Sequence, residues 1–296
     1  MSVRIGVNPI AWSNDDMQEL GRETPLETCL SEGRQIGFAG FELGHKFPRK
    51  SAELGPILSR HGLALVSGWY SSGLLERSVE EEIAAAQDHL ALLKELGATV
   101  MIVAETTGAV HGNRAAPLST RPVIKAGDWA AFGQRMTAFG AYLKDQGLPI
   151  AYHHHMGTVV ETPAEIDRFM DVTGPEVGLL LDTGHMTFAG GNPVAMVQRW
   201  GHRINHVHCK DVRPALLAEA RKTDSSFLDA VVNGVFTVPG DGGIDYRTVL
   251  GALKAAGYRG DWLVIEAEQD PAKANPFTYL TKGYQHLQGL VSELGL

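Results

Sequence analysis

The sequence predicts an α/β fold, a single (β/α)8 TIM barrel domain over residues 1–296. Eight short apolar runs alternate along the chain with amphipathic stretches, as in a parallel sheet with helical crossovers. The runs are apolar throughout, which is typical of strands buried on both faces. No glycine-rich phosphate-binding motif follows the first run, and eight repeats favour a closed barrel over an open nucleotide-binding sheet.

Each repeat contributes a predicted element. The apolar runs predict strands at Arg4–Asn8, Gly40–Leu43, Ala64–Ser67, Thr99–Ala104, Ile150–His154, Val177–Leu181, Ile204–His208 and Trp262–Glu266. The amphipathic stretches predict helices at Thr24–Gly37, Val79–Gly97, Asp128–Gly147, Thr162–Val172, Pro193–Trp200 and Tyr246–Gly257.

Local signals support these helix boundaries. Thr162, Pro163 and Glu165 provide a capping hydroxyl, a first-turn proline and a first-turn acid. The stretch Asp211–Asp245 is longer than a usual connection and predicts an inserted helix and loop over the barrel mouth. Four glycines stand at predicted helix ends, where a left-handed residue costs least: Gly37, Gly97, Gly147 and Gly257.

Composition narrows the class of protein. The formal net charge is −8 and no run of Lys or Arg occurs, so no nucleic-acid partner is expected. No stretch of eighteen apolar residues predicts a membrane span, and no secretion signal is recognised. Cys29 and Cys209 are far apart and indicate reduced thiols, so a cytoplasmic location is expected. Twelve histidines are many for this length and suggest a metal or proton-transfer site.

Ionisable residues follow the predicted strands where a TIM barrel carries its active site. Strands 4 to 8 run into the following groups: Glu105; His153, His154 and His155; Asp182 and His185; His206, His208, Lys210, Asp211 and Arg213; Glu266 and Glu268. A single such residue is more often a hydrogen-bonded loop residue than a ligand. Strands 5 to 8 all ending this way favour a shared divalent cation, since burying unpaired charges together is costly. Mixed His and carboxylate ligands suit Mn²⁺, Fe²⁺, Co²⁺ or Zn²⁺.

Period-two alternation groups these side chains without assigning their roles. His206 and His208 share a face, as do Glu266 and Glu268. His153 and His155 share a face as well. The spacing leaves open which member of each pair binds metal and which binds substrate.

The motifs resemble the xylose-isomerase-like TIM barrels, a superfamily of metal-dependent sugar epimerases and isomerases. Its members typically ligate the metal with Glu, Asp, His and Glu from strands 5 to 8. Asp182 in DTGH, His208 in HVHCKD and Glu266 in VIEAE match the last three. His153 stands where the epimerases have Glu, so the fourth ligand is His153 itself, or water and substrate oxygen, or Glu105.

Six segments spread along the chain carry a narrower resemblance: PIAWSNDDM at 9–17, AYHHHMGT at 151–158, DTGH at 182–185, HVHCKDVR at 206–213, NGVFTVPGDGGIDY at 233–246 and EAEQDPAKANP at 266–276. These segments resemble the inosose dehydratases. The resemblance implies Mn²⁺ or Co²⁺ as cofactor and dehydration of scyllo-inosose (2-keto-myo-inositol), a polyol ketone, to a trihydroxycyclohexane-dione in inositol catabolism. The enzyme class implied is a hydro-lyase.

The chemistry so implied assigns candidate roles. His155 or Glu105 is the candidate base for the proton next to the ketone. Lys210 is a candidate acid or oxyanion partner, with Asp211 setting its charge, or else the two form a solvated ion pair. His185 resembles the position that contacts substrate in the epimerases and is a candidate for binding and catalysis. Arg213 is a candidate clamp for a hydroxyl group.

Two loops are expected to contribute substrate contacts. Trp12, Asn14 and Asp15 follow strand 1 and are candidates for binding the ring, with Trp12 or Trp69 as a flat wall. The alternative is that Asn14 and Asp15 only cap the next helix. Asp241, in the Pro-Gly-Asp-Gly turn of the long insertion, is a further candidate contact.

Three other functions remain open at this level. A ketose 3-epimerase or sugar isomerase would use the same metal, although His153 in place of Glu favours dehydration. An endonuclease of the same superfamily would need three metals and a basic face, against which the net charge of −8 argues. A metal-free binding protein is the third alternative. Both a monomer and a homo-oligomer such as a tetramer are compatible with the sequence.

Overall fold

A computed structural model describes residues 3–296 as a closed parallel barrel surrounded by helices. The strands are β1 Arg4–Val7, β2 Gly40–Leu43, β3 Ala64–Ser72, β4 Met101–Glu105, β5 Ile150–His153, β6 Val177–Asp182, β7 Ile204–Cys209, β8 Asp211–Val212, β9 Phe236–Thr237 and β10 Trp262–Ile265. The helices are α1 Leu26–Ile36, α2 Ser51–His61, α3 Val79–Glu95, α4 Trp129–Asp145, α5 Pro163–Val172, α6 Thr183–Phe188, α7 Pro193–Trp200, α8 Pro214–Lys222, α9 Phe227–Val232, α10 Tyr246–Ala255 and α11 Pro276–Leu294.

The barrel runs in the order β1-β10-β7-β6-β5-β4-β3-β2, which confirms the predicted (β/α)8 fold. All eight neighbouring pairs are parallel. The register sets Asp182 of β6 beside His208 of β7, and Val264 of β10 on the other side of His208. The carboxyl ends of these strands therefore meet at one end of the barrel.

The six predicted helices are present, and most are shorter than predicted by one or two residues at an end. The four glycines expected at helix ends follow α1, α3, α4 and α10 and have positive φ angles. Thr162 caps α5 through a reciprocal capping box with Glu165. Outside the stretch 211–245, three helices are absent from the prediction: α2, α6 and α11. In α2 an interior proline, Pro56, obscures the helical pattern.

Strand β3 is five residues longer than predicted and ends at Ser72. Its second half carries Gly68, Ser71 and Ser72, which weaken the apolar pattern that predicts strands. Backbone pairing with β4 nevertheless continues from Trp69 to Ser72.

The stretch 211–245 contains helices α8 and α9 and an antiparallel sheet of β8 and β9, and is thus more structured than the predicted helix and loop. Its apolar side chains, including Phe227 and Phe236, pack against Met156 and Phe188 from the connections after β5 and β6. Among residues 3–296, no helix is long and apolar enough to cross a membrane.

The barrel interior is filled by side chains that alternate along the strands. Val66, Trp262 and Val264 form one interior cluster, and Val100, Ile102, Ala151 and Leu180 form another. Gly40 makes room for the first cluster, because a Cβ there would lie 2.9 Å from the Trp262 ring and 2.7 Å from the Ala64 carbonyl oxygen. These layers support the polar residues at the strand ends.

Candidate active site

The predicted ligands His153, Asp182, His208 and Glu266 converge at the carboxyl end of the barrel. Asp182 Oδ2 lies 3.7 Å from His153 Nε2 and 3.5 Å from His208 Nδ1. Glu266 Oε2 lies 3.1 Å from His208 Nδ1. All four side chains are buried. The strands that carry or precede them are consecutive in the barrel, so the cluster follows directly from the register.

One donor atom each from His153, Asp182, His185 and Glu266 lies within 4.8 Å of the others, so these residues could hold a cation, and His208 Nδ1 lies beside them. Asp182 Oδ1 accepts the backbone amide of His185, but Oδ2 is buried without a hydrogen-bond partner, with Lys210 Nζ 3.5 Å away. A buried carboxylate oxygen without a donor is costly, and a cation is the usual remedy. His153 donates its Nδ1–H to the His154 carbonyl oxygen at 2.7 Å, which leaves the Nε2 lone pair directed toward Asp182. Two imidazoles and two carboxylates suit a transition metal better than Mg²⁺.

His208 lies between two carboxylates. Its Nε2 is 3.1 Å from Glu42 Oε1, and its Nδ1 faces Glu266. Burial disfavours the charged imidazole, but Glu266 and Glu42 outweigh it and raise the pKa of His208 well above its usual value. Burial likewise opposes ionisation of Glu42, and His208 and His206 outweigh it and lower the pKa of Glu42.

Lys210 is fully buried beneath the cluster. Its Nζ lies 2.6 Å from Glu266 Oε2, 2.5 Å from Glu268 Oε2 and 3.0 Å from His185 Nε2. Burial would lower the pKa of Lys210, but Asp182, Glu266 and Glu268 together raise it, so the ammonium form persists. The charge of Lys210 is therefore set by these three carboxylates, and the prediction that Asp211 sets it is wrong.

Asp211 stabilises a turn of the insertion. Its carboxylate accepts the backbone amides of Gly240, Gly242 and Ile244, which holds the turn of the insertion in place. The alternative of a solvated ion pair with Lys210 does not apply either, because both side chains are buried.

His155 and His185 stack beside the cluster with ring centroids 3.9 Å apart. His155 donates Nδ1–H to the Met156 carbonyl oxygen at 2.8 Å, so its Nε2 carries the free lone pair. Burial lowers the pKa of both imidazoles well below the usual value, and neighbouring histidines and the Lys210 ammonium lower it further. Both rings are therefore neutral near pH 7.

A cavity of roughly 260 Å³ opens above the cluster. This volume is below the range of about 300–1,000 Å³ typical of sites for drug-sized ligands, and suits a smaller polar molecule. Trp69 forms one wall, with its ring 5.4 Å from that of His153. Other polar residues line the cavity: Asn8, Asp15, Asp16, Glu42, His45, Arg49, Ser71, His111, His153, His155, His208, Glu266 and Glu268.

Glu105 lies apart from this cavity, contrary to its predicted place beside the metal. Its carboxylate accepts hydrogen bonds from Ser72 Oγ, the Leu74 amide and the Thr107 amide at 2.7–3.0 Å. These bonds tie together the connections after β3 and β4. Burial raises the pKa of Glu105, and the three donors partly offset that effect.

The first loop is divided between structural and cavity residues. Trp12 is buried and donates its Nε1–H to Glu32 at 2.6 Å, so it does not line the cavity. Asn14 Oδ1 accepts the amides of Asp16 and Met17 and so closes a local turn, whereas the alternative of a helix cap is wrong, since α1 begins only at Leu26. Asp15 accepts hydrogen bonds from His45 and does line the cavity.

Arg213 and Asp241 pair with each other at 2.9 Å and do not line the cavity. Arg213 also donates to the carbonyl oxygens of Gly234 and Phe236. Asp241 additionally contacts Lys282 of α11. The pair therefore holds the insertion against the barrel, which is a different placement from the predicted substrate contacts.

The cavity also contains residues that the sequence did not predict: Asn8, Glu42, His45, Arg49, Ser71 and His111. Two of them, Asn8 and Glu42, lie in predicted strands. Asn8 is the final residue of the first predicted strand, and Glu42 interrupts the second apolar strand. Both signals were available, because an ionisable or amide group within an apolar strand end is itself unusual.

Comparison with known proteins agrees with this architecture. A family model described as xylose isomerase-like TIM barrel matches residues 30–289. The rhizopine catabolism protein MocC of Rhizobium meliloti is 50% identical over 295 residues, covering 100% of this chain and 90% of that protein. An inosose dehydratase of Geobacillus thermodenitrificans is 44% identical, covering 97% of this chain and 96% of that protein.

Solved structures share the fold at lower identity. The IolI protein with a bound zinc atom superimposes with a TM-score of 0.68 at 17% identity and covers 99% of each chain. A xylose isomerase-like TIM barrel protein from Mycobacterium smegmatis in complex with magnesium has a TM-score of 0.69 at 16% identity, covering 99% of this chain and 97% of that one. The chain therefore belongs to the xylose isomerase-like TIM barrel family, in the group that includes the inosose dehydratases and the rhizopine catabolism protein.

Proposed function

We propose that this protein is an inosose dehydratase, a hydro-lyase that removes water from scyllo-inosose in inositol catabolism. Identity of 41–44% to inosose dehydratases over 97% of the chain supports the substrate and reaction. The observation that carries the chemistry is the convergence of His153, Asp182, His208 and Glu266 around the unpartnered Asp182 Oδ2. His153 in place of a carboxylate distinguishes this set from that of the epimerases.

These four residues would hold the cation, and Mn²⁺ or Co²⁺ suits the mixture of imidazole and carboxylate donors best. When bound, a divalent cation would polarise the ketone and stabilise the negative charge that develops on its oxygen. Lys210 serves this set indirectly, since its ammonium holds the carboxylates of Glu266 and Glu268 in place.

His155 is the base that the geometry supports better than Glu105. Its Nε2 carries a free lone pair in the cavity, whereas the Glu105 carboxylate is engaged by three donors elsewhere. In this proposal His155 takes the proton from the carbon next to the ketone as the C–H bond breaks. The hydroxyl group on the following carbon leaves as its C–O bond breaks. Transfer of the proton to that departing group completes the loss of one water molecule.

We further propose that residues 1–296 act as one domain. The apolar side chains of 211–245 share a cluster with Met17, Met156 and Phe188 of the barrel loops, so the insertion has no separate core.

We also propose that the protein is located in the cytoplasm. The cysteines Cys29 and Cys209 are both unpaired and buried, as is usual in a reducing compartment.

A direct assay tests the proposed reaction. The Mn²⁺-loaded protein incubated with scyllo-inosose is expected to release a conjugated product that absorbs in the ultraviolet. Asp182→Asn is the control, because it removes the unpartnered ligand oxygen and should abolish the product. Epimerised polyol without loss of water would favour the ketose epimerase alternative and reject dehydration.

A further inference from the structure

Asn8 connects two of the acidic residues of the site. Its Oδ1 accepts the backbone amide of Ile10 at 3.0 Å, which fixes the orientation of the side-chain amide. Its Nδ2 then donates to Glu42 Oε2 at 2.9 Å and to Glu266 Oε1 at 3.1 Å. One amide therefore holds a proposed ligand, Glu266, and a carboxylate outside the proposed ligand set, Glu42.

Glu42 is a buried carboxylate surrounded only by donors. Its Oε1 accepts from Ser67 Oγ at 2.7 Å, His206 Nε2 at 2.9 Å and His208 Nε2 at 3.1 Å. Its Oε2 accepts from Asn8. The side chain is only 2% exposed, so these protein donors replace water. Both oxygens are committed to donors of four different side chains.

We propose that Glu42, oriented by Asn8, is a positioning residue that selects the metal-binding nitrogen of His208. By accepting Nε2–H, Glu42 leaves Nδ1 as the ligand atom, and Nδ1 is the nitrogen that faces Asp182 Oδ2 and Glu266 Oε2. An outer carboxylate that fixes a histidine in this way typically contributes 10–100-fold to metal affinity. Asn8 acts on the second ligand too, since its bond to Glu266 Oε1 leaves Oε2 for the centre. The inference rests on the proposed metal centre.

The variant Glu42→Gln tests this role, because every partner of the carboxylate is a donor. A glutamine amide would direct its own N–H groups at either Asn8 or the two histidines. We expect Co²⁺ affinity, measured by competition with a chromophoric chelator, to fall by about 10–100-fold. The visible d–d absorption of the bound Co²⁺ is expected to change as well, since the geometry at His208 relaxes.

Glu105→Gln is the matched control. Glu105 is also a buried strand-end carboxylate with three donors, but it lies outside the cavity. This variant should lower the unfolding temperature and leave Co²⁺ affinity and absorption unchanged. If Glu42→Gln fails to fold, Asn8→Ala decides the matter, because it keeps the Glu42 carboxylate and removes only its orienting amide. We expect weaker Co²⁺ binding from Asn8→Ala also.

The outcomes separate this inference from the proposed metal centre. Suppose that the wild type binds Co²⁺ and Asp182→Asn does not. Unchanged Co²⁺ affinity and absorption in Glu42→Gln would then overturn the positioning role alone. The same result in Asn8→Ala would do so if Glu42→Gln does not fold. A wild type that binds no Co²⁺, or an Asp182→Asn variant that binds it equally well, would instead overturn the metal centre itself.

Discussion

In three histidines of the site, the acceptor of one N–H group determines which ring nitrogen keeps its lone pair. His153 and His155 donate Nδ1–H to backbone carbonyl oxygens and so present Nε2. His208 donates Nε2–H to Glu42 and presents Nδ1. Since a carbonyl oxygen can only accept, the tautomers of the first two are fixed by the backbone itself. His153, a proposed ligand, and His155, the proposed base, therefore both present Nε2.

If His155 is the base, its replacement should lower the rate of dehydration and leave the affinity for metal unchanged. His155→Gln keeps a polar side chain of similar reach but cannot accept a proton. We expect kcat for scyllo-inosose to fall by about 10²–10⁴-fold, as for other general bases, with Co²⁺ affinity unchanged. Steady-state kinetics and chelator competition measure the two effects. Loss of rate in His111→Gln, with none in His155→Gln, would assign the base to the other free imidazole of the cavity.

At the scale of the strands, alternation explains which predicted site residues come together. Ile102 of β4 packs inside the barrel, while Met101 and Val103 belong to the layer between sheet and helices. Glu105 shares the parity of Met101 and Val103 and therefore points away from the axis. Glu105 lies at a strand end, as predicted, but on the side of the sheet that faces the helices.

The same alternation accounts for two of the cavity residues that the sequence did not predict, Glu42 and Asn8. Gly40 approaches the interior residues Trp262 and Val66, so Glu42, two positions later, faces the interior as well. Gly6 likewise approaches Val66 and Trp262, and Asn8 follows it by two. Alternation therefore places Glu42 and Asn8 on the inward face once the structure identifies an interior residue on each of the two strands.

The loops were less predictable, because their contacts join distant parts of the chain. Arg213 and Asp241 look like free polar groups in the sequence, yet each is the other's partner in the fold. The amide of Leu118 likewise donates to the Ser225 carbonyl oxygen across the barrel mouth. Neither pairing leaves a periodic signal, so only the folded chain shows that these residues brace the insertion.

The capping box of α5 gives an energetic prediction for a helix. Thr162 Oγ1 accepts the Glu165 amide, and the Glu165 carboxylate accepts the Thr162 amide. Thr162→Ala should lower the free energy of unfolding by about 1 kcal/mol, measured by urea denaturation. Thr162→Ser keeps a capping hydroxyl and should retain most of the stability. Equal stability of the two variants would show that the cap contributes nothing here.

For the whole molecule, closure of the barrel is what assembles the site. The strands β5, β6, β7, β10, β1 and β2 are consecutive around the barrel, although they come from opposite ends of the chain. Their carboxyl ends supply His153, Asp182, His208, Glu266, Asn8 and Glu42. The proposed ligands and the residues proposed to orient them therefore depend on the same closed register.

Anomalous diffraction from crystals of the Co²⁺-loaded protein tests this convergence most directly. The account predicts one strong peak at the barrel mouth, about 2.0–2.2 Å from His153 Nε2, Asp182 Oδ2, His208 Nδ1 and a Glu266 oxygen, by analogy with zinc–ligand distances. The peak should be missing in Asp182→Asn crystals grown in the same way. Cobalt bound elsewhere, or retained at full occupancy without the Asp182 carboxylate, would contradict the central claim that these strand ends share one cation.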